Sequence, residues 1–222
     1  MAVDAAGKIY IANLGYANNP GTTLTTYTAN GTPTTPTITG LNFPTAVAVD
    51  AASKLYITND NPGIEPFSGT LQTYTATGTR TVPTLTNFEH PSGVAVDASG
   101  KIYLASDNPI SVATYTANGT PTTPSITGLS SFPTAVAVDA SGKIYVTSGQ
   151  SAGMLTTYTA SGTQTTPTIT GLNEPTGVAV DAAGNIYVTS NNRLTTYTAN
   201  GTPTAPTITI TGLNFPSGVA VH

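Results

Sequence analysis

Residues 175–201 read PTGVAVDAAGNIYVTSNNRLTTYTANG, and the chain says nearly the same thing five times. The anchor is Val-Asp, then a small pair, then Gly or Ser, then Lys or Asn. It stands at Val3-Asp4, Val49-Asp50, Val96-Asp97, Val138-Asp139 and Val180-Asp181, with Val221-His222 where a sixth would begin. Successive anchors lie 46, 47, 42, 42 and 41 residues apart. That period suits a four-stranded propeller blade.

Each copy divides into four short strands. The first, Ala-Val-Ala-Val or Gly-Val-Ala-Val, alternates small residues and suits a narrow axis. The Asp that follows can bond the backbone ahead of it, and Gly can take positive φ, so a tight turn comes next. The second strand resembles KIYVTS, and the third resembles LTTYTA. An Asn-Gly or Ser-Gly turn leads to a fourth, TPTIT, whose Pro points to a sheet edge. No stretch shows a helical period. A solenoid would need shorter periods, and one sheet of this size buries too little surface alone.

The chain begins with the end of a first strand and closes on a nearly complete one. Met1, Ala2, Val3 and Asp4 overlap in sequence with Val219, Ala220, Val221 and His222. The expectation is one all-β domain over residues 1–222. It is a five-bladed β-propeller of four-stranded antiparallel blades, its ring closed by the C-terminal strand. The chain is expected to be a monomer, with donation of that strand to a second copy as the rival.

Charged residues make up 7% of the 222 residues, and the net charge is −4. Solubility therefore rests on Thr, Ser, Asn and Gly. No basic footprint for nucleic acid exists, since four of the six cations, Lys8, Lys54, Lys101 and Lys143, fall at one turn position. With no Cys, disulfides and thiolate metal sites are excluded. No signal peptide opens the sequence, and no apolar run nears the roughly 20 residues of a membrane span. The composition fits a secreted or surface-attached bacterial protein. The Asn-Gly-Thr triplets at Asn30, Asn118 and Asn200 read as turns.

The quoted stretch, with its Pro-x-Gly-Val-Ala-Val-Asp, Gly-Asn-Ile-Tyr-Val and Asn-Asn-Arg elements, resembles an NHL repeat. All five copies share the first half. The resemblance implies a propeller but no single function, since such propellers include protein-binding, RNA-binding, sugar-lactone-hydrolysing and lyase members. The family's Asp after the second strand is kept only at Asp60 and Asp107. Familiar relatives often have six blades, whereas five complete copies are present here.

The copies differ mainly on one face. The second-to-third loops vary: residues 13–23, 59–70, 106–112, 148–154 and 190–193. One position before the shared Pro holds Phe43, His90, Phe132, Glu174 and Phe215, and it should ring the axial opening. The candidate contact set is this ring, with Glu89, Asp60, Asp107 and Arg193 at its periphery. Aromatic faces there suit a carbohydrate, peptide or protein partner, with Asn42, Asn173 and Asn214 on the rim.

The main expectation is a non-catalytic extracellular binding or display scaffold with no cofactor. The alternative is a metal-dependent lactonase or lyase using His90 with Glu89 and Glu174. A further alternative is a structural fragment or design with no ligand. The five repeated Asp are too far apart for calcium and read as turn residues. The Tyr pairs, such as Tyr10 with Tyr27, read as packing between blades. No nucleophile motif or phosphate loop occurs.

Overall fold

The computed structural model describes residues 1–16, 19–61, 69–149, 152–191, 193–204 and 216–221. Among them every regular element is a strand. The first repeat holds β1 (Ala2–Val3), β2 (Ile9–Tyr16), β3 (Asn19–Tyr27) and β4 (Pro33–Ile38). Next come β5 (Pro44–Val49), β6 (Leu55–Asn59), β7 (Gly69–Tyr74) and β8 (Arg80–Val96). The third repeat continues with β9 (Ile102–Asn108), β10 (Ile110–Tyr115) and β11 (Pro121–Thr127). The fourth holds β12 (Pro133–Val138), β13 (Ile144–Ser148), β14 (Gly153–Tyr158) and β15 (Gln164–Leu172). The fifth contributes β16 (Pro175–Val180), β17 (Ile186–Ser190) and β18 (Arg193–Tyr197).

Neighbouring strands pair antiparallel in chain order, in sheets of four, seven, four and three strands. The second and third repeats share one seven-stranded sheet because β8 runs unbroken through the crossover at His90. The cause is local. The short loop at Asn108 lets β9 extend far enough to pair with Glu89.

The repeated Asp builds the first turn of every repeat. Asp97 Oδ1 accepts the amides of Ser99 at 2.9 Å and Lys101 at 3.0 Å, and Oδ2 accepts the Tyr103 hydroxyl at 3.0 Å. The same clamp joins Asp4 to Tyr10, Asp50 to Tyr56, Asp139 to Tyr145 and Asp181 to Tyr187. Lys54, Lys101 and Lys143 lie over the rings of Tyr56, Tyr103 and Tyr145.

Proline marks the outer strands as expected. Pro36, Pro124 and Pro167 sit on edge strands β4, β11 and β15. A third-strand hydroxyl reaches each proline carbonyl, as Thr73 does to Pro83 at 2.8 Å and Thr157 to Pro167 at 2.8 Å. The turn glycine of the following repeat packs against the same ring. A Cβ on Gly78, Gly119, Gly162 or Gly201 would stand 2.5–2.7 Å from Pro36, Pro83, Pro124 or Pro167 respectively.

Four hydrophobic cores lie between successive repeats. Tyr10 and Leu24 meet Leu55 and Ile57; Tyr56 and Leu71 meet Ile102 and Leu104; Tyr103 and Val112 meet Ile144 and Val146; Tyr145 and Leu155 meet Ile186 and Val188. The tyrosines of a repeat do work between repeats. Tyr10 and Tyr27, however, occupy opposite faces of their sheet, because Tyr27 pairs with Ile9 and Tyr10 with Thr26. Among the described residues no core joins the fifth repeat to the first.

The expected closure is corrected at one strand. The inner edge of β2 is held by β1, through Ala2–Tyr10 and Val3–Ile9, and not by the C-terminal segment. Residues 216–221 form no strand and lie beside β1. A Cβ on Gly218 would stand 3.3 Å from the Met1 nitrogen. The two segments thus stand side by side instead of sharing one slot.

Candidate functional site

The first strands enclose an axial cavity. Toward the variable loops it measures about 80 Å³ and is walled by Met1 and residues 45–47, 92–94, 134–136, 176–178 and 217–219. Deeper, a section of about 180 Å³ is lined by Met, Ala and Val alone. Hydroxyls in the section toward the variable loops are engaged along the wall. Thr45 donates to the Pro91 carbonyl at 2.5 Å, Ser92 to Pro133 at 2.6 Å, and Thr176 to Pro216.

Among the described residues, Phe43, His90, Phe132 and Glu174 do not wall this cavity. Phe43, Phe132 and Glu174 precede the first strand of their repeats, and their carbonyls accept an amide from just past the second strand. Phe43 accepts from Asp60, Phe132 from Gly149 and Glu174 from Asn191. Phe43, His90 and Glu174 hold left-handed backbone with φ of 48°, 46° and 50°. That region is rarely used by non-glycine residues, least of all before proline. Phe215 and Asn214 lie outside the described residues.

What the structure brings together is a smaller group. His90 Nδ1 lies 3.0 Å from Asp60 Oδ1 and 3.2 Å from Oδ2, with hydrogen-bond geometry to the latter. The imidazole side chain is 43% exposed and the Asp60 side chain 20%. The hydrogen bond to Asp60 is the main cause that raises the His90 pKa. Burial opposes it, and the charges of Asp60, Asp107 and Glu89 add to it. Burial pushes the Asp107 carboxyl up; nearby His90 pulls it down, and Asp60 and Glu89 raise it further. Asp107 Oδ1 is buried without a hydrogen-bond partner. Asn108 Nδ2 donates to Glu89 Oε2.

Four expected site residues, Asp60, Glu89, His90 and Asp107, therefore form one cluster across the second and third repeats. Glu174 and Arg193 are exposed, and no hydrogen bond or ion pair joins either to it. Phe43 is half-buried elsewhere on the loop face. Phe132 lines a separate groove of about 380 Å³ with Met154, Ala152, Ser131 and Ser148. Sequence reasoning missed Met154, which shares the groove because β13 and β14 pair Ser148 with Met154.

The cluster can polarise a water molecule. An imidazole whose Nδ1 faces a carboxylate is oriented to act as a base through Nε2. A carboxyl with raised pKa beside it can return a proton. The metal ligand set expected for a lactonase does not fit. No group of three or more His, Asp or Glu among the described residues has the spacing to hold an ion. The axial wall offers only Met, Thr, Ser, Ala, Val and Gly.

A family model described as the SMP-30/gluconolactonase/LRE-like region matches residues 1–150. The chain belongs to that family. Among solved structures, this SMP-30/gluconolactonase/LRE-like chain is similar to one in a nidogen/laminin complex, with TM-score 0.70 and 16% identity. That match covers 90% of this chain and 79% of the other. A gluconolactonase from Xanthomonas campestris matches with TM-score 0.63 and 16% identity, over 85% of this chain and 67% of its own. A protein of unknown function from Bacteroides caccae matches with TM-score 0.71 and 11% identity, over 99% and 84%. These likenesses establish an all-β, propeller-like fold. No curated protein sequence matches the chain.

Proposed function

We propose that the protein is a hydrolase of the lactonase type, with His90 as general base. The observation that carries this reading is the His90–Asp60 contact at 3.0 Å, beside the half-buried Asp107. Family membership supports it over a non-catalytic scaffold. Neutral His90, its Nδ1–H directed to Asp60, takes a proton from water through Nε2. The water oxygen adds to the lactone carbonyl. The tetrahedral adduct collapses, the ring C–O bond breaks, and the leaving oxygen takes a proton from the imidazolium or from Asp107. The product is the open hydroxy acid.

The substrate class is a sugar lactone or related cyclic ester. Its ring would rest on the loop face beside the His90–Asp60 pair. The blades belong to the same proposal: five NHL-type repeats supply five blades, supported by the five Asp–Tyr clamps. The test is proton release from glucono-1,5-lactone and γ-butyrolactone above the uncatalysed rate. Loss of that excess in His90→Gln, with an unchanged melting temperature, supports the assignment. An unchanged rate in His90→Gln removes it.

A further inference from the structure

The charges of the chain are divided between the two ends of its strands. Asp4, Asp50, Asp97, Asp139 and Asp181 build the first turns, which also hold Lys8, Lys54, Lys101 and Lys143. Arg80 stands at the same end, where β7 turns into β8. Five carboxylates meet five cations there. Every other carboxylate belongs to the opposite, variable-loop end. Asp60, Glu89, Asp107 and Glu174 stand at that end, and Glu65, outside the described residues, belongs to the segment between β6 and β7. Against these five the chain sets one cation, Arg193, so the loop segments carry the whole net charge of −4.

Three of those carboxylates gather at His90. The charges of Asp60, Asp107 and Glu89 all act on the imidazole, and those of Asp60 and Glu89 act on Asp107. On β8, His90 lies between the ladder pairs Glu89–Asn108 and Pro91–Ser106, and Asp107 lies between them on β9. The half-buried Glu89 is held in place, because Asn108 Nδ2 donates to its Oε2. Its Oε1 accepts no hydrogen bond among the described residues. An oriented carboxylate thus presents one open oxygen beside the imidazole.

This setting slows the opening of a neutral or anionic lactone. Addition of water puts negative charge on the carbonyl oxygen, and no Lys or Arg is among the groups acting on His90 or Asp107. A substrate with its own cation removes the mismatch. We propose that the substrate is a cationic lactone, a cyclic ester with an ammonium group beside its carbonyl, and that Glu89 selects it. This rests on the lactonase reading above. The ammonium donates to Oε1 of Glu89, and the carbonyl then faces the water that His90 deprotonates. The same ammonium lies next to the oxygen that gains charge in the tetrahedral adduct. Water adds, the ring C–O bond breaks, and the open hydroxy acid keeps its ammonium. The anionic loop face draws such a substrate in and turns away lactones that carry a carboxylate.

The test compares two lactones with one ring. Below the pKa of its amine, α-amino-γ-butyrolactone carries a positive charge, and its N-acetyl derivative carries none. Each is measured over its uncatalysed rate, at a pH just below that pKa. The cationic form is expected to show a kcat/KM at least about tenfold higher, the scale of one partly screened charge contact. The advantage should shrink in Glu89→Gln and in raised salt. Equal efficiency on both lactones overturns the proposal and leaves the lactonase reading standing. Hydrolysis of neither removes the lactonase reading, and binding of the stable lactams then decides for Glu89. Tighter binding of α-amino-γ-butyrolactam than of γ-butyrolactam, with the margin lost in Glu89→Gln, supports its selecting role. Equal binding of the two lactams, or binding of neither, overturns it.

Discussion

The phenol of Tyr103 donates to Oδ2 of Asp97 at 3.0 Å, while Oδ1 of the same carboxylate holds the turn that precedes β9. One side chain thus ties a tight turn to a ring that is 1% exposed and lies between two sheets. A hydrogen bond to a charged group contributes about 1.5–3 kcal/mol. Tyr103→Phe should therefore cost about 1.5–3 kcal/mol, read from chemical denaturation, while Tyr187→Phe at the half-buried wall should cost less.

The carboxylates of Asp4, Asp97, Asp139 and Asp181 are held below their ordinary range. Burial would raise them, but the amide, Tyr and Ser or Asn donors prevail. A depressed folded pKa means the unfolded chain takes up protons first as the pH falls. The clamps should stabilise fully above about pH 4–5 and fade as the pH drops through the folded values. Melting followed from pH 7 to pH 2 checks this. A melting temperature that does not fall below pH 4 would contradict it.

His90 carries the opposite sign. Its raised pKa keeps the ring protonated to higher pH, and a base must be neutral to act. The acid limb of the hydrolysis profile should lie above the ordinary value of about 6.5. Asp60→Asn should move it down and lower the rate. The ion pair stabilises the fold below the unfolded pKa and loses that effect as pH rises through the folded one. With the imidazole 43% exposed, solvent screening keeps the effect on stability small.

Gly119 and Gly31 separate two costs. Both hold positive φ, at 84° and 81°. A Cβ on Gly119 would stand 2.7 Å from Pro83, whereas one on Gly31 would meet nothing within 4 Å. Gly31→Ala should cost about 1–2 kcal/mol, the left-handed backbone alone. Gly119→Ala should cost at least about 1 kcal/mol more. Equal losses in denaturation would remove the packing role given to the rim prolines.

Ile9→Ala and Leu104→Ala probe the cores. Leu104 is fully buried between two repeats, so its truncation should cost about 2–5 kcal/mol. Ile9 is half-buried, and its truncation should cost clearly less. Closely similar losses would indicate that the wall at Ile9 is covered in solution.

The period, the Asp turn and the edge prolines were legible in the sequence because each depends on residues close in the chain. The cluster was half-legible. Asp60, Glu89, His90 and Asp107 gather titratable side chains into two adjacent repeats of a chain that is 7% charged, and that concentration was the available signal. Equivalent position misled at Phe43, Phe132 and Glu174. Sharing a place in the repeat does not give side chains a shared direction when the loops beside them differ in length. The slot held by β1 was illegible for another reason, since two segments of the same pattern compete for one edge and sequence does not rank them.

The contact of Gly119 with Pro83 recurs at Gly78–Pro36, Gly162–Pro124 and Gly201–Pro167, so every such junction is the same joint with the same two halves. A unit cut at one Val-Asp anchor and inserted at another would arrive with a socket on one side and a plug on the other. Recombination within the gene could therefore lengthen or shorten the protein by whole modules without designing a new interface, which is a route by which five copies could stay so alike.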